Sequence, residues 1–218
     1  MTVLDIHTHR QATTDAVVSC SVAEIFEPAP GCLYSVGLHP WQSDQATDAH
    51  LQLLERLAEH PQVVAIGETG LDALRGAPLP RQLELLERHL DVAQCVRKPM
   101  VAHCVRTSQQ LATVWRRKAA TGISLAIHGF RGNANVARTL IDAGCYLSYG
   151  YRFNTAALAV TPIDRLLVET DDAQVDIQQV VALVADALGI EQEKLERQLR
   201  CNAARFLNSL PEEKVQTD

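Results

Sequence analysis

Short apolar segments recur along the chain and predict eight buried β-strands. Most of these segments are apolar at nearly every position, which is typical of strands covered on both faces in a parallel sheet. The predicted strands are Val3–His7, Ala16–Cys20, Leu33–Leu38, Val63–Gly67, Met100–Cys104, Ser124–His128, Cys145–Tyr149 and Leu166–Thr170.

Amphipathic segments of helical length separate most of these strands. Segments 133–144 and 177–189 each end at a glycine, a residue that commonly terminates helices. In segment 81–96 the apolar residues fall three or four positions apart, which is the spacing of one helix face: Leu83, Leu86, Leu90, Ala93 and Val96.

The alternation of strands and helices predicts a compact (β/α)8 TIM barrel. Such barrels typically have about 250 residues, and about 200 is near their lower limit. The first crossover is expected to be abbreviated, because only "THRQATTD" separates the first two strands. An open doubly wound sheet is the alternative, because the first crossover has no room for the helix that a regular barrel would place there. We expect one domain over residues 1–210 and a solvated tail over 211–218.

Composition narrows the classes of protein that fit. The chain has 218 residues, 47% of them hydrophobic, which is enough for one large core. It has no apolar run long enough to span a bilayer and no signal-peptide pattern, so we expect a soluble, cytoplasmic protein with no membrane partner. Its six cysteines form no CxxC pair and are expected to be free thiols. We expect a monomer, with an oligomer as the alternative.

The net charge of −6 argues against a broad basic surface that coats nucleic acid. It does not exclude a local cationic patch. Any phosphate-binding site is therefore expected to be small and localised.

The segment "HTH" places His7 and His9 at the end of the first predicted strand. Side chains at positions i and i+2 lie on the same face of a strand, so the two imidazoles can chelate one ion. Taken alone, however, such a pair favours hydrogen-bonded histidines at the rim of the sheet.

Other residues able to bind a metal also fall at strand ends. In a barrel the carboxyl ends of the strands meet at one mouth, where barrel enzymes place their chemistry. Each residue alone could cap a loop, but two carboxylates crowded together repel unless a cation lies between them. Mixed nitrogen and oxygen ligands suit zinc, manganese and similar ions, and six ligands suffice for two ions. The candidates are His7, His9, Glu68, His103, His128 and Asp171.

Six motifs in order resemble the TatD-type metal-dependent hydrolases of the amidohydrolase superfamily. "DIHTHR" resembles the opening D-x-H-x-H, "VGLHPW" the G-x-H-P and "AIGETGLD" the A-I-G-E-x-G-L-D of that family. "VAHCVR", "IHGFRGN" and "LLVETDD" are similar to its later motifs carrying His, His and Asp, and "CNAARFL" to its C-terminal helix. Six motifs in the right order are a highly specific match.

The resemblance implies a two-metal hydrolase that cleaves DNA in the manner of a deoxyribonuclease or exonuclease. His7, His9, Glu68 and Asp171 would hold one divalent ion (Zn, Mn, Mg or Co), and Glu68 would bridge it to a second ion held by His103 and His128. Asp171 would act as the general base and, with Glu68, form the catalytic pair. The partner would be DNA or another phosphodiester.

Further residues near the predicted mouth are candidate substrate contacts. His39 in "GLHPW" is read as a possible substrate contact rather than a ligand, with a loop histidine as the alternative. Arg106, Arg131 and Arg152 follow strand ends and could bind phosphate. Three aromatic residues could stack on bases, with core packing as the alternative: Trp41, Phe130 and Tyr151.

Departures from the family pattern concern the substrate groove. Arg106 falls one place later than the usual arginine, Arg131 adds a positive charge, and Asp172 adds a carboxylate beside Asp171. The alternatives are therefore hydrolysis of a phosphotriester, lactone or amide, as in related barrels, and a catalytically silent scaffold.

Overall fold

A computed structural model describes residues 3–118 and 122–207 and shows a closed barrel. Eight parallel strands pair in chain order, and β1 closes the ring by pairing with β8. The prediction of a barrel is thus confirmed over an open sheet. The strands are β1 Asp5–Thr8, β2 Ala16–Ser21, β3 Leu33–Gly37, β4 Val63–Asp72, β5 Met100–Val105, β6 Leu125–Ile127, β7 Tyr146–Tyr149 and β8 Leu166–Val168.

Helices follow most of the strands. They are α1 Asp48–Ala58, α2 Leu79–Val96, α3 Ser108–Lys118, α4 Ala134–Asp142, α5 Thr155–Val160, α6 Ile177–Leu188 and α7 Gln192–Phe206, with short 3-10 turns at Pro40–Gln42 and Ile163–Arg165. Over the described residues, none of these helices is long and apolar enough to cross a membrane. The proposed tail, 211–218, lies outside the described residues, so the domain boundary stays a prediction.

Two crossovers lack a helix, which makes the barrel compact. The first, between β1 and β2, is abbreviated as predicted. The second, between β2 and β3, is an irregular segment over residues 22–32. Within it, Phe26 packs edge-on against Tyr34, and Gln62 donates hydrogen bonds to the carbonyls of Ala29 and Cys32. A folded loop thus takes the place of a helix beside β2 and β3.

Strand β4 extends further than its apolar run predicts. Its pairing with β5 continues through Thr69↔Ala102 to Asp72↔Val105, so Glu68 lies inside the strand. Gly70 makes this pairing possible, because a Cβ there would lie 2.1 Å from the backbone oxygen of His103. Its φ of +131° is also one that side chains rarely adopt. The strand therefore carries Glu68 and Asp72 into the barrel mouth.

The core has two layers. A large apolar cluster fills the space between the strands and the helices, and a smaller one lines the barrel interior. Phe206 of α7 belongs to the smaller cluster and packs against Tyr146 at the start of β7. Asn202, one turn earlier, donates to the carbonyls of Ile163 and Leu166 at the start of β8. Helix α7 thus closes the amino-terminal end of the barrel and leaves the opposite mouth open.

The burial of His89 leads us to expect that the folded protein becomes less stable in acid. Its Nδ1 donates to the Leu85 carbonyl, and its Nε2 accepts from the backbone N–H of Leu38. Burial lowers the pKa of His89 from 6.5 to about 4, although the bond to Leu85 favours the charged form. The folded state should therefore become less stable as the pH falls from 6.5 to 4, because in this pH range only the unfolded chain binds a proton at His89.

This difference in proton binding between the unfolded and the folded chain lowers the free energy of unfolding by at most about 3 kcal/mol. The measurement is the free energy of unfolding in urea at several pH values for the wild type and for His89→Gln. The difference between the two proteins should shrink as the pH falls from 6.5 to 4. A difference that is constant over this range would contradict a neutral buried imidazole.

Candidate metal centre

The first histidines and Asp171 are brought together by backbone pairing at the closure of the barrel. The N–H of Asp171 donates to the carbonyl of His7 at 3.0 Å, and the N–H of His9 donates to the carbonyl of Asp171 at 3.1 Å. Their side chains point the same way, with Asp171 Oδ1 lying 3.7 Å from His7 Nε2 and 3.6 Å from His9 Nε2. Residues that are distant in sequence therefore form one face of a site.

Glu68 lies between two groups of histidines, with one carboxylate oxygen toward each. Oε2 is 3.3 Å from His7 Nε2 and 3.6 Å from His9 Nε2. Oε1 is 3.2 Å from His103 Nδ1 and 2.7 Å from His128 Nε2. The structure thus brings together all six residues that the sequence singles out as candidate ligands.

His39 also reaches this cluster. Its Nε2 lies 2.8 Å from Glu68 Oε1, while its Nδ1 accepts a hydrogen bond from the backbone N–H of Trp41. A neutral ring that accepts at Nδ1 carries its proton on Nε2, so His39 donates to Glu68. The sequence places His39 only near the substrate; the structure places it in direct contact with a candidate ligand.

The buried carboxyl of Glu68 stays ionised. Burial by itself would raise its pKa, but His128, His103 and His39 surround it and together hold the pKa well below the usual value. A buried, ionised carboxylate beside several imidazoles is an anionic group that can bind a cation.

The donor atoms fit a metal ion. His7 is fully buried, yet neither of its ring nitrogens makes a hydrogen bond within the described residues. Nitrogen and carboxylate atoms also lie within 4.8 Å of one another in three overlapping groups. Imidazole and carboxylate together suit zinc, manganese or cobalt. The three groups are His7, His9 and Glu68; His7, His128 and Asp171; and His39, Glu68 and His103.

Three buried carboxylates support the histidines and were not among the residues predicted from the sequence. Asp72 lies 3.1 Å from His103 Nε2, on the side of the ring away from Glu68. Glu169 Oε1 lies 3.5 Å from His128 Nδ1 and accepts the N–H of Gly129. Asp5 accepts the N–H of His7 and the hydroxyl of Thr170. The available signal was that each of them stands inside a motif that also carries a ligand.

Asp72 is held in place by two further donors. Its Oδ2 accepts the indole N–H of Trp41 at 2.7 Å, and its Oδ1 accepts the N–H of Leu74 at 2.7 Å. These bonds outweigh the effect of burial and hold the pKa of Asp72 below its usual value. An ionised Asp72 accepts the proton of His103 Nε2, which leaves the Nδ1 lone pair free toward Glu68.

Asp72→Asn is expected to weaken cation binding by about 10–100-fold, since carboxylates behind ligating histidines typically contribute that much. The loss should affect an ion held by His103, because His103 is the candidate ligand that Asp72 contacts. Titration against a chelating indicator measures it, with the exposed Asp142→Asn as a matched control. Equal affinities in the variant and the wild type would contradict this role for Asp72.

The mouth around the cluster contains three cavities, all of which are lined in part by Asp171 and Asp172. A cavity of about 560 Å³ is lined by Arg106 and Arg131, and one of about 410 Å³ by Arg131 and Arg152. All three arginines thus border the mouth, as the sequence indicates. Asp172 also lines both cavities.

The three aromatic candidates differ in their surroundings. Trp41 and Tyr151 are each 47% exposed and line the cavities of the mouth. Phe130 is only 5% exposed and packs against Tyr149, so core packing accounts for most of its surface. Tyr151 therefore remains available to stack on a ligand, whereas one face of Trp41 is covered by Arg75.

The fold and the site place this protein in the class of parallel (β/α)8 barrels with a candidate metal centre at the carboxyl-terminal mouth. A family model described as TatD related DNase matches residues 8–208. The chain belongs to this family.

Two curated relatives match part of the chain. An uncharacterized metal-dependent hydrolase TatD from Mycobacterium tuberculosis is 39% identical over 150 residues, which is 63% of this chain and 56% of the relative. A 3'-5' ssDNA/RNA exonuclease TatD from Musicola paradisiaca is 33% identical over 66% of this chain and 59% of the relative. The matches thus span little more than half the length of these relatives.

A solved structure shares the fold. The crystal structure of YjjV, a TatD homologue from Escherichia coli K12, matches with a TM-score of 0.82 and 22% identity. The match covers 96% of this chain and 98% of that chain. The likeness extends over the whole described barrel.

Proposed function

We infer that the protein is a hydrolase that uses two divalent cations to cleave phosphodiester bonds, with single-stranded nucleic acid, DNA in particular, as its substrate. The observation that carries this proposal is the placement of Glu68, whose Oε2 faces His7 and His9 and whose Oε1 faces His103 and His128. The Musicola relative named as an ssDNA/RNA exonuclease supports the choice of substrate.

The two groups of ligands divide around Glu68. His7, His9 and Asp171 would hold one cation, His103 and His128 the other, and Glu68 both. Two such ions, when bound, supply a hydroxide at neutral pH and neutralise charge on the phosphoryl oxygens. Zinc, manganese, magnesium and cobalt are all candidates.

Asp171 is the residue proposed to accept the proton of the attacking water. Its side chain is 22% exposed, whereas that of Glu68 is 6% exposed, so Asp171 is the carboxylate that incoming water reaches more easily. His39 donates to Glu68 from the side of the mouth and lines the same cavity as Trp41. It is therefore placed to contact the substrate beside the centre.

The arginines supply the local positive charge that an acidic protein needs in order to bind a polyanion. Arg106, Arg131 and Arg152 are exposed and border cavities that open onto the cluster. A guanidinium binds phosphate in a bidentate manner, so these side chains would hold the backbone of a strand.

The test combines metal analysis with substrate screening. The purified protein is stripped, reloaded with each cation in turn, analysed for metal content, and incubated with labelled single-stranded DNA and RNA, a nitrophenyl phosphodiester and a lactone. We expect two equivalents of metal and cleavage of the phosphodiesters. Cleavage of the lactone alone would favour the wider amidohydrolase class, and tight metal binding without any hydrolysis would favour a scaffold.

A further inference from the structure

The mouth is electrostatically divided. On the side of β5 to β8, the two cavities described above contain Arg106, Arg131 and Arg152. On the side of β2 and β3 lies a third cavity of about 330 Å³, which we call the β2 chamber. It opens onto Glu68 and Asp171 and is walled by Ser19, Cys20, Ser21, Glu24, His39, Trp41 and Gln42.

Apart from the histidines of the cluster, no basic side chain lines the β2 chamber within the described residues. Over the part of the chain that the structure describes, neither lysine nor arginine lines it, and Arg75, which stacks on Trp41 at 4.3 Å, is not among its lining residues. Away from the candidate ligands its formal charges are the carboxylates of Glu24 and Asp172. Burial raises the pKa of Cys20 to about 11, so this thiol stays neutral. Away from the cluster, the charge that the chamber wall presents is therefore negative.

The remaining wall of the chamber is suited to a neutral polar group. Ser21 donates its hydroxyl to Gln42 Oε1 at 2.9 Å, which orients the side-chain amide of Gln42. The same Ser21 hydroxyl accepts the N–H of Ala23, and the Glu24 N–H donates to the Ser21 carbonyl. Within the described residues the amide N–H groups of Gln42 have no partner and can donate to a ligand. The turn from Ser21 to Glu24, at the end of β2, fixes the position of Glu24.

The size of the chamber limits its occupant. Pockets for small molecules range from roughly 300 to 1,000 Å³, and this one lies near the lower bound. It has room for one nucleoside, whereas a strand of several nucleotides needs the longer, arginine-lined side of the mouth.

We propose that the β2 chamber receives the terminal nucleoside of a strand and that Glu24 excludes a phosphate from that terminus. This rests on the proposed function. The phosphates of the strand lie along the arginines, the bond to be cleaved lies over the cluster, and the departing group is a nucleotide whose outer end carries a free hydroxyl. Glu24 is thus a specificity-determining residue that selects strand ends without a terminal phosphate.

The test uses one single-stranded oligonucleotide prepared with a phosphate at neither end, at the 3′ end, at the 5′ end or at both. We expect cleavage to proceed from one end, and a phosphate on that end to lower kcat/KM about tenfold or more, because like charges are brought together on binding. A phosphate on the opposite end should have little effect. This penalty should shrink at high ionic strength, because Glu24 is exposed and its field is screened.

Glu24→Gln should restore most of the rate on the phosphorylated end, so that the ratio of kcat/KM between the free hydroxyl end and the phosphorylated end falls toward one. Glu27→Gln is the matched control, since Glu27 is an exposed glutamate of the same loop that does not line the chamber. The proposal is overturned if a terminal phosphate has no effect at either end, if cleavage is internal regardless of the ends, or if the two variants behave alike. Failure to cleave any oligonucleotide would instead overturn the proposed nuclease function.

Discussion

Replacement of Glu68 by glutamine is expected to abolish metal binding at both positions and to lower hydrolysis by at least about 1,000-fold, or about 4 kcal/mol of transition-state stabilisation. An amide offers one oxygen and no negative charge, so it cannot serve both groups of histidines. The wild-type carboxylate meets His7 through Oε2 and His128 through Oε1. Elemental analysis together with an oligonucleotide assay measures the two losses.

A matched control separates the site from a general loss of folding. Glu55→Gln makes the same chemical change on α1, where the carboxylate is half exposed and pairs with Arg88. This variant should keep two metal equivalents and full activity. Circular dichroism should show the same secondary structure for both variants. Two bound metals in the Glu68 variant would refute the bridging role.

Replacement of Asp171 by asparagine is expected to separate catalysis from metal content. The substitution fits the backbone, because Asp171 has a φ of +53° and asparagine tolerates this left-handed region. The variant loses one anionic ligand beside His7 and His9 and also the proposed proton acceptor. We expect kcat to fall about 1,000-fold, which is about 4 kcal/mol.

The metal content of this variant distinguishes it from the Glu68 variant. His103 and His128 lie within 3.2 Å of Glu68 Oε1, whereas the ion-pair contacts of Asp171 are to His7 and His9, so about one equivalent should remain bound. Metal analysis and single-turnover kinetics on the same sample test this. Loss of both metals would show that the two groups do not bind independently, and near-normal turnover would rule out Asp171 as the general base.

Strand β4 shows that the apolar pattern of a segment does not always predict where its strand ends. Its apolar run ends before Glu68, so the sequence places Glu68 after the strand, whereas pairing with β5 continues to Asp72. The extension depends on hydrogen bonds to residues about thirty positions away and on Gly70, whose lack of a side chain admits the His103 carbonyl. Information of this kind is absent from the local pattern.

The loop between β2 and β3 shows the same limit. Only the contacts of Phe26 with Tyr34 and of Gln62 with Ala29 show how this loop packs beside the start of β3. The division of charge between the β2 chamber and the arginine side arises there. Glu24 and Arg131 are far apart in sequence, and nothing local relates them.

The sequence by itself determined the alternation of strands and helices, since burial on both faces leaves a continuous apolar signature, and it favoured a barrel over an open sheet. It also determined which residues stand at the strand ends, because that position follows from the same segments. Only the tertiary structure decided how Glu68 is shared, which carboxylates stand behind His103 and His128, and which side of the mouth is positive. The physical reason is that these features depend on distances between side chains from different strands, which are set when the barrel closes.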